Sequence, residues 1–258
     1  FPLARFSKKN PEETAKMLGE KLIESSDLIE RFNVVKGFLN ILVGIPAWLK
    51  AFKEIYADDS FGALPSKGKK VVTEYSSPNT NKPLHLGHLR NNFLGYSISQ
   101  IQAAAGYDVE KVNLVNDRGI HICKSMLAYK LFGKGETPES AGIKGDHLIG
   151  KYYVKFDQEY KKEVTGLIAQ GLEKNEAEKQ APLMEGARQM LQDWENGVES
   201  VVALWKKMNS WVYDGFDITY KRMGVSFDKI YKESETYLMG KTIVEEGLEK
   251  GLFFKKED

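Results

Sequence analysis

Apolar and polar positions change their pattern near residue 65. Before it, Asn10-Pro11-Glu12-Glu13 reads as a helix start, with Asn as N-cap, Pro at the first position and acids in the first turn. Ala15, Leu18, Leu22 and Ile23 follow as the apolar face. Residues 28–35 and 37–43 predict two strands that turn at Lys36-Gly37, and residues 46–56, with Trp48, Leu49 and Phe52, predict a short helix. Gly62, Pro65, Ser66 and Gly68 mark residues 57–70 as a linker. Residues 1–65 are therefore expected to form a small α+β domain.

After the linker the period alternates between strand and helix. Residues 71–75 predict a strand. The helix that follows carries Leu94, Ile98, Ile101 and Ala105 as its apolar face and stops at Gly106. Residues 109–115 predict a second strand, and a helix with Ile120, Cys123, Leu127 and Leu131 ends at Gly133. A right-handed crossover makes such strands parallel, and parallel sheets bind ligands at their carboxyl ends. Two polar clusters, residues 76–88 and 116–119, fall there. Residues 134–196 turn glycine-rich and then highly charged, which reads as a helical insertion. A long helix with Val201, Trp205, Met208, Val212 and Phe216 follows. Residues 223–227 return toward a strand. Residues 232–237 read as a polar loop before a helix with Ile243, Val244 and Leu248. The expected fold class is α/β: a Rossmann-like parallel sheet over residues 66–258, with a helical insertion at about 134–196.

Composition narrows this only a little. The chain has 258 residues, 42% hydrophobic and 28% charged, with formal net charge +1, so charge neither demands nor excludes a nucleic-acid partner. A single cysteine, Cys123, rules out an intrachain disulfide and a cysteine metal cluster, and it reads as a core residue. No apolar run reaches membrane-spanning length, so no membrane partner is expected and a cytoplasmic location is the default. The chain opens on Phe1 and closes on Lys255-Lys256-Glu257-Asp258, and is read as a piece of a longer protein.

The chemistry concentrates in residues 74–90. His85 and His88 share one face of the first helical turn, and Gly87 removes a side chain where a ligand must come close. A helix start offers free N–H groups and a positive dipole end. Imidazole donors there suit a phosphoryl or nucleotidyl transfer, where charge builds on phosphate oxygens in the transition state. The competing reading is a surface helix that happens to hold two histidines. A zinc site lacks a cysteine partner and an HExxH pattern, so no metal ligands are assigned. Glu74 closes an apolar strand, where a charge wants a cationic partner or an outward rim position. Asn79 offers both donors and acceptors. Lys82 can reach a triphosphate or stay solvated. Asp117 and Arg118 can pair locally and cap the next helix. Glu233, alone, reads as a solvated loop acid, although a guanidinium ligand would want such a carboxylate.

Taken together, these residues resemble a known family. The run from Pro78 to His88, ending His85-Leu86-Gly87-His88, resembles the HIGH signature of class I aminoacyl-tRNA synthetases. With Glu74-Tyr75-Ser76-Ser77 before it and Leu89-Arg90 after, it is similar to the arginyl-tRNA synthetases. Phe1-Pro2-Leu3-Ala4-Arg5 with Pro11, Asn116-Asp117-Arg118-Gly119, and residues 222–228 with Glu233-Ser234 agree with that family. The resemblance implies ATP-dependent activation of L-arginine and its transfer to tRNA(Arg), with magnesium accompanying ATP, in a monomer. It implies that Pro78, His85, Leu86, Gly87 and His88 meet ATP, with Lys82 assisting. Glu74, Ser76 and Asn79 would surround the amino acid, Glu233 would face its guanidinium, and the N-terminal domain would touch the tRNA elbow. The KMSKS signature and the anticodon-binding domain are absent from these residues, so the piece alone is expected not to charge tRNA. The other readings are an HxGH nucleotidylyltransferase, whose motif normally stands near the chain start, and a non-catalytic synthetase-like tRNA-binding protein.

Overall fold

The computed structural model describes residues 3–256. Phe1 and Pro2, and Glu257 and Asp258, lie outside the described residues, so those ends of the resemblance receive no structural account. The chain divides into two compact units, Phe1–Ala63 and Leu64–Asp258.

The first unit runs α1 (Ala4–Ser7), α2 (Pro11–Ser25), β1 (Ile29–Val35), β2 (Phe38–Val43) and α3 (Ile45–Ala57). The Asn10 side chain accepts from the Glu13 amide at 2.8 Å, the cap that the sequence predicts. The strands form an antiparallel hairpin whose turn residues Lys36 and Gly37 both take positive φ, 51° and 78°. The buried face of α2 is corrected by the structure. Thr14, Ala15 and Gly19 are buried, Leu18 and Leu22 are half-buried, and Ile23 is exposed. A larger residue at Gly19 would strike the Phe32 ring on β1, so the hairpin lies too close for a broad apolar stripe.

The second unit continues with β3 (Lys70–Glu74), α4 (Leu86–Ala104), β4 (Asp108–Val115) and α5 (Ile120–Phe132). Four helices follow: α6 (Pro138–Ala141), α7 (Gly145–Ala169), α8 (Lys174–Gln180) and α9 (Pro182–Glu195). The long α10 (Glu199–Met223) leads to β5 (Lys229–Lys232) and α11 (Glu233–Glu249). The three strands pair in parallel in the order β3-β4-β5, with Glu74 opposite Val112 and Val115 opposite Lys232. This is a Rossmann-like α/β fold.

Several expectations are overturned in this unit. First, α4 meets the sheet with Asn92, Gly95 and Ser99, while Leu94, Ile98 and Ile101 point outward. Close approach decides this: a Cβ on Gly95 would stand 2.4 Å from Tyr75 Cβ, so only a small-residue face lets the helix settle on β3. Second, residues 223–227 are not strand. Val225 is buried, Phe227 packs on Tyr75 at 4.7 Å between ring centroids, and Asp228 then leads into β5. Asp228 accepts from the Lys111 amide at 2.8 Å and so registers β5 on β4. Third, residues 232–237 form no loop. Strand β5 passes directly into α11, with Glu233 as its first helical residue.

The hydrophobic core is mostly helical. Met126 from α5, Leu148, Ile149 and Phe156 from α7, Met190 from α9, and Val212 and Phe216 from α10 are buried together. Leu131, expected on the α5 core face, is exposed, whereas Ile122, Met126 and Tyr129 are buried. Cys123 is in the core as expected, and burial pushes its thiol up to about 12, which keeps it protonated.

Candidate active site

Backbone strain marks the turn after β3. Ser76 and Ser77 both take left-handed φ, 74° and 43°, which costs a non-glycine residue roughly 1 kcal/mol or more each. Asparagine side chains hold them there. Asn91 Oδ1 accepts from the Ser76 amide at 2.6 Å, and Asn113 Oδ1 accepts from the Ser77 amide at 3.0 Å. The buried Ser76 hydroxyl bonds Tyr220 Oη at 2.6 Å and accepts from Asn92 Nδ2 at 3.2 Å. Ser76 thus sits inside the turn with its hydroxyl engaged. These framing residues were missed by sequence reasoning. Asn91-Asn92 within a helix was the available signal, because asparagine is a poor helix former unless its side chain has a partner.

The chain then runs beside β4. Asn116 donates its amide to the Pro78 carbonyl at 2.9 Å, and Thr80 donates to the Asn116 carbonyl at 3.0 Å. Pro78 is buried. The Asn79 side chain is exposed and makes no hydrogen bond among the described residues. Lys82 is half-buried, with no carboxylate partner among them. Glu74 is exposed and accepts from Ser77 Oγ at 2.7 Å.

His85 is the N-cap of α4, and its Nδ1 accepts from the Gly87 amide at 3.1 Å. His88 reciprocates: its Nδ1 accepts from the His85 amide at 3.2 Å. The two rings lie 4.0 Å apart at 52°. A backbone N–H can only donate, so each Nδ1 is bare and the proton of each neutral ring sits on Nε2. The pair therefore keeps two donors at a helix start whose own amides already favour anions. Gly87 is needed here: a Cβ would stand 2.9 Å from the His85 ring. Leu86, between them, is exposed. Burial, then the nearby His85 and Lys82, holds His88 below the ordinary 6.5, which favours the neutral ring.

Asp117 and Arg118 do not pair with each other. Asp117 is fully buried, accepting from the Ser234 amide at 2.8 Å, Ser234 Oγ at 2.7 Å and Tyr213 Oη at 2.8 Å. Its carbonyl takes Trp205 Nε1 at 2.7 Å. Arg118 instead pairs with Glu195 at 2.8 Å and lies 3.8 Å over the Tyr237 ring. Asp117 thereby ties the end of β4 to the start of α11, where Glu233 is half-buried without an ion-pair partner among the described residues. Glu74, the 76–88 turn, Asp117 and Glu233 all stand at the carboxyl ends of the parallel strands. Among the described residues no cluster of three His, Cys, Asp or Glu could hold a metal, and no helix is long and apolar enough to cross a membrane.

Residues 53–258 match the family described as tRNA synthetases class I (R), catalytic domain. The whole chain is 58% identical over 258 residues to the arginine–tRNA ligase of Amoebophilus asiaticus (strain 5a2), covering 43% of that protein. It is also 58% identical over 260 residues to the arginine–tRNA ligase of Bacteroides fragilis (strain YCH46), covering 44% of it. Among solved structures, the Thermus thermophilus arginyl-tRNA synthetase is similar at 26% identity and TM-score 0.53, over 91% of this chain and 34% of that one. The Plasmodium falciparum arginyl-tRNA synthetase, at 18% identity and TM-score 0.53, is alike in fold alone. The chain thus spans less than half the length of the curated relatives it matches.

Proposed function

Because the chain belongs to the class I (R) tRNA synthetase family through its catalytic domain, we propose that the full-length protein activates L-arginine with ATP and transfers it to tRNA(Arg). The observation that carries this reading is the reciprocal His85–His88 cap on α4, set behind a strained turn at the carboxyl edge of a parallel sheet.

In this reading the arginine carboxylate attacks the α-phosphorus of ATP and pyrophosphate leaves. Negative charge grows on the phosphate oxygens in the transition state. The Nε2 donors of His85 and His88, the α4 amides near Gly87 and the Lys82 ammonium meet that charge. Pro78 and Leu86 shape the nucleotide's approach. Glu74 and Asn79 receive the α-amino end of the amino acid. Ser76 contributes by holding the turn that presents them, since its own hydroxyl is engaged. Glu233 supplies a carboxylate for the guanidinium, a pairing favoured by matched planar geometry. Magnesium would accompany the triphosphate. The N-terminal unit is assigned to the tRNA elbow, the acting species to a monomer and its location to the cytoplasm.

ATP–pyrophosphate exchange by the full-length protein, run with each amino acid and with or without tRNA, tests this. Exchange that depends on arginine and requires tRNA is expected, and dependence on another amino acid refutes the arginine assignment. His88→Gln should lower the exchange rate about a hundredfold, with arginine affinity unchanged. Equal loss of both would exclude a transition-state role.

A further inference from the structure

Polar residues stand beyond the carboxyl ends of all three parallel strands, and they are tied to one another in strand order. Asn79, after β3, bridges Asn116 in parallel register. The Pro78 carbonyl and the Thr80 amide hold that pairing from both sides of Asn79. Asp117, the next residue, reaches the other way, to Ser234 at the start of α11. Glu233 stands directly before Ser234, one residue past β5. The order across the sheet is therefore Asn79, then Asn116-Asp117, then Glu233. The middle pair spans a single peptide, about 3.8 Å between Cα atoms, and holds no slack.

The start of α11 depends on this link. Lys232 is its N-cap residue, and the Lys232 side chain makes no capping hydrogen bond. Asp117 supplies the cap from another strand. Its Oδ1 accepts from the Ser234 amide at 2.8 Å and its Oδ2 from Ser234 Oγ at 2.7 Å. Asp117 is itself immobilised. Oδ2 also accepts from Tyr213 Oη at 2.8 Å, and the carbonyl accepts from Trp205 Nε1 at 2.7 Å and Asn209 Nδ2 at 3.3 Å. A buried polar network with its members satisfied is rigid. The Glu233 carboxylate, without an ion-pair partner among the described residues, takes its place in the site from that network.

We propose that Asp117 is a positioning residue for substrate length: with Asn116 it fixes the separation between an α-amino subsite at Asn79 and a guanidinium subsite at Glu233, and so selects a guanidino acid of one chain length. The proposal rests on the arginine-activating reading above. A ligand one methylene too long must buckle or release one end, and one too short cannot reach both. In a rigid site one methylene is worth roughly 10–200-fold. Where the separation drifts, that discrimination is lost.

The test is ATP–pyrophosphate exchange by the full-length protein with tRNA present. Arginine is compared with analogues one methylene longer and one methylene shorter. The readout is the ratio of kcat/KM values, which does not depend on how much of the enzyme is folded, so a merely structural loss cannot move it. Wild type should prefer arginine over each analogue by roughly 10–200-fold. Asp117→Ala should lower both preferences by roughly tenfold, through a raised KM for arginine with the KM for ATP unchanged. Asp117→Asn, which keeps an acceptor for the Ser234 amide, should stay close to wild type. If Asp117→Ala is too unstable to assay, the Ser234→Ala, Tyr213→Phe double variant removes two of the three donors and should relax both preferences in the same direction. A fall in kcat for all three substrates with unchanged ratios would overturn the proposal. So would relaxation toward the longer analogue alone, which marks an enlarged pocket, or a KM for ATP that rises as far as that for arginine. A wild-type protein without arginine-dependent exchange would instead refute the earlier reading, and Glu233→Gln with an unaltered KM for arginine would refute the guanidinium assignment, so these failures are distinguishable.

Discussion

Lys82 lies close enough to two imidazoles to shift both. His88 and His121 are each held below 6.5, with burial as the largest cause and the Lys82 charge among the rest. The folded state therefore binds these protons less readily than the unfolded chain. Their contribution to stability is present above 6.5 and is lost as pH falls below it through the lowered folded-state value. Lys82→Met should move both titrations upward, which NMR of the His88 and His121 rings would record. A shift at one ring alone would mean that Lys82 does not stand between the two. His85 and His88 gain their tautomers from the backbone, so the chemistry of Nε2 is set before any substrate arrives. Spacing in the sequence revealed the two histidines as a pair. It did not reveal that each caps the other through Nδ1, because imidazole is not among the usual N-cap side chains.

At the scale of elements, β4 is the organising strand, and Asp117 at its end acts as the fastener. The carboxylate takes three hydrogen bonds from α10 and the start of α11. Asp117→Ala would leave Tyr213 Oη and the Ser234 amide without their partner, at a cost of about 3 kcal/mol. Urea unfolding of the full-length protein should show that loss, and amides near Ser234 should exchange faster. Unchanged exchange there would rule out the fastening role. Local signals made much of the fold legible: the Asn10 cap, the Lys36-Gly37 turn, the βαβ order and the helical character of residues 134–196. They failed where a distant neighbour decides. Leu94, Ile98 and Ile101 have a correct helical period, yet Tyr75, just past the neighbouring strand, leaves room only for Gly95. Asp117 read as a helix cap because its partners lie roughly a hundred residues further along. Glu233 read as a loop residue because no turn separates β5 from α11.

At the scale of the molecule, the sheet is clothed unevenly. Helix α4 covers the face that carries Thr73 and Tyr75, through Gln102 and Gly95. By register Val72 and Leu114 share the opposite face, and they are 60% and 40% exposed. Parallel strands are normally covered on both sides. The outward residues of α4 and α11, Ile98, Ile101, Leu238 and Ile243 among them, add further open apolar surface. Such surface makes encounters between copies attractive. A preparation of these 258 residues alone should scatter more light per unit mass as it is concentrated, with a negative second virial coefficient. The full-length protein in the same buffer should not. A positive coefficient for the short chain would mean that this face is less adhesive than its exposure indicates. The partly open side of a three-stranded sheet therefore sets a practical ceiling on concentration, and dilution is the first remedy for these 258 residues.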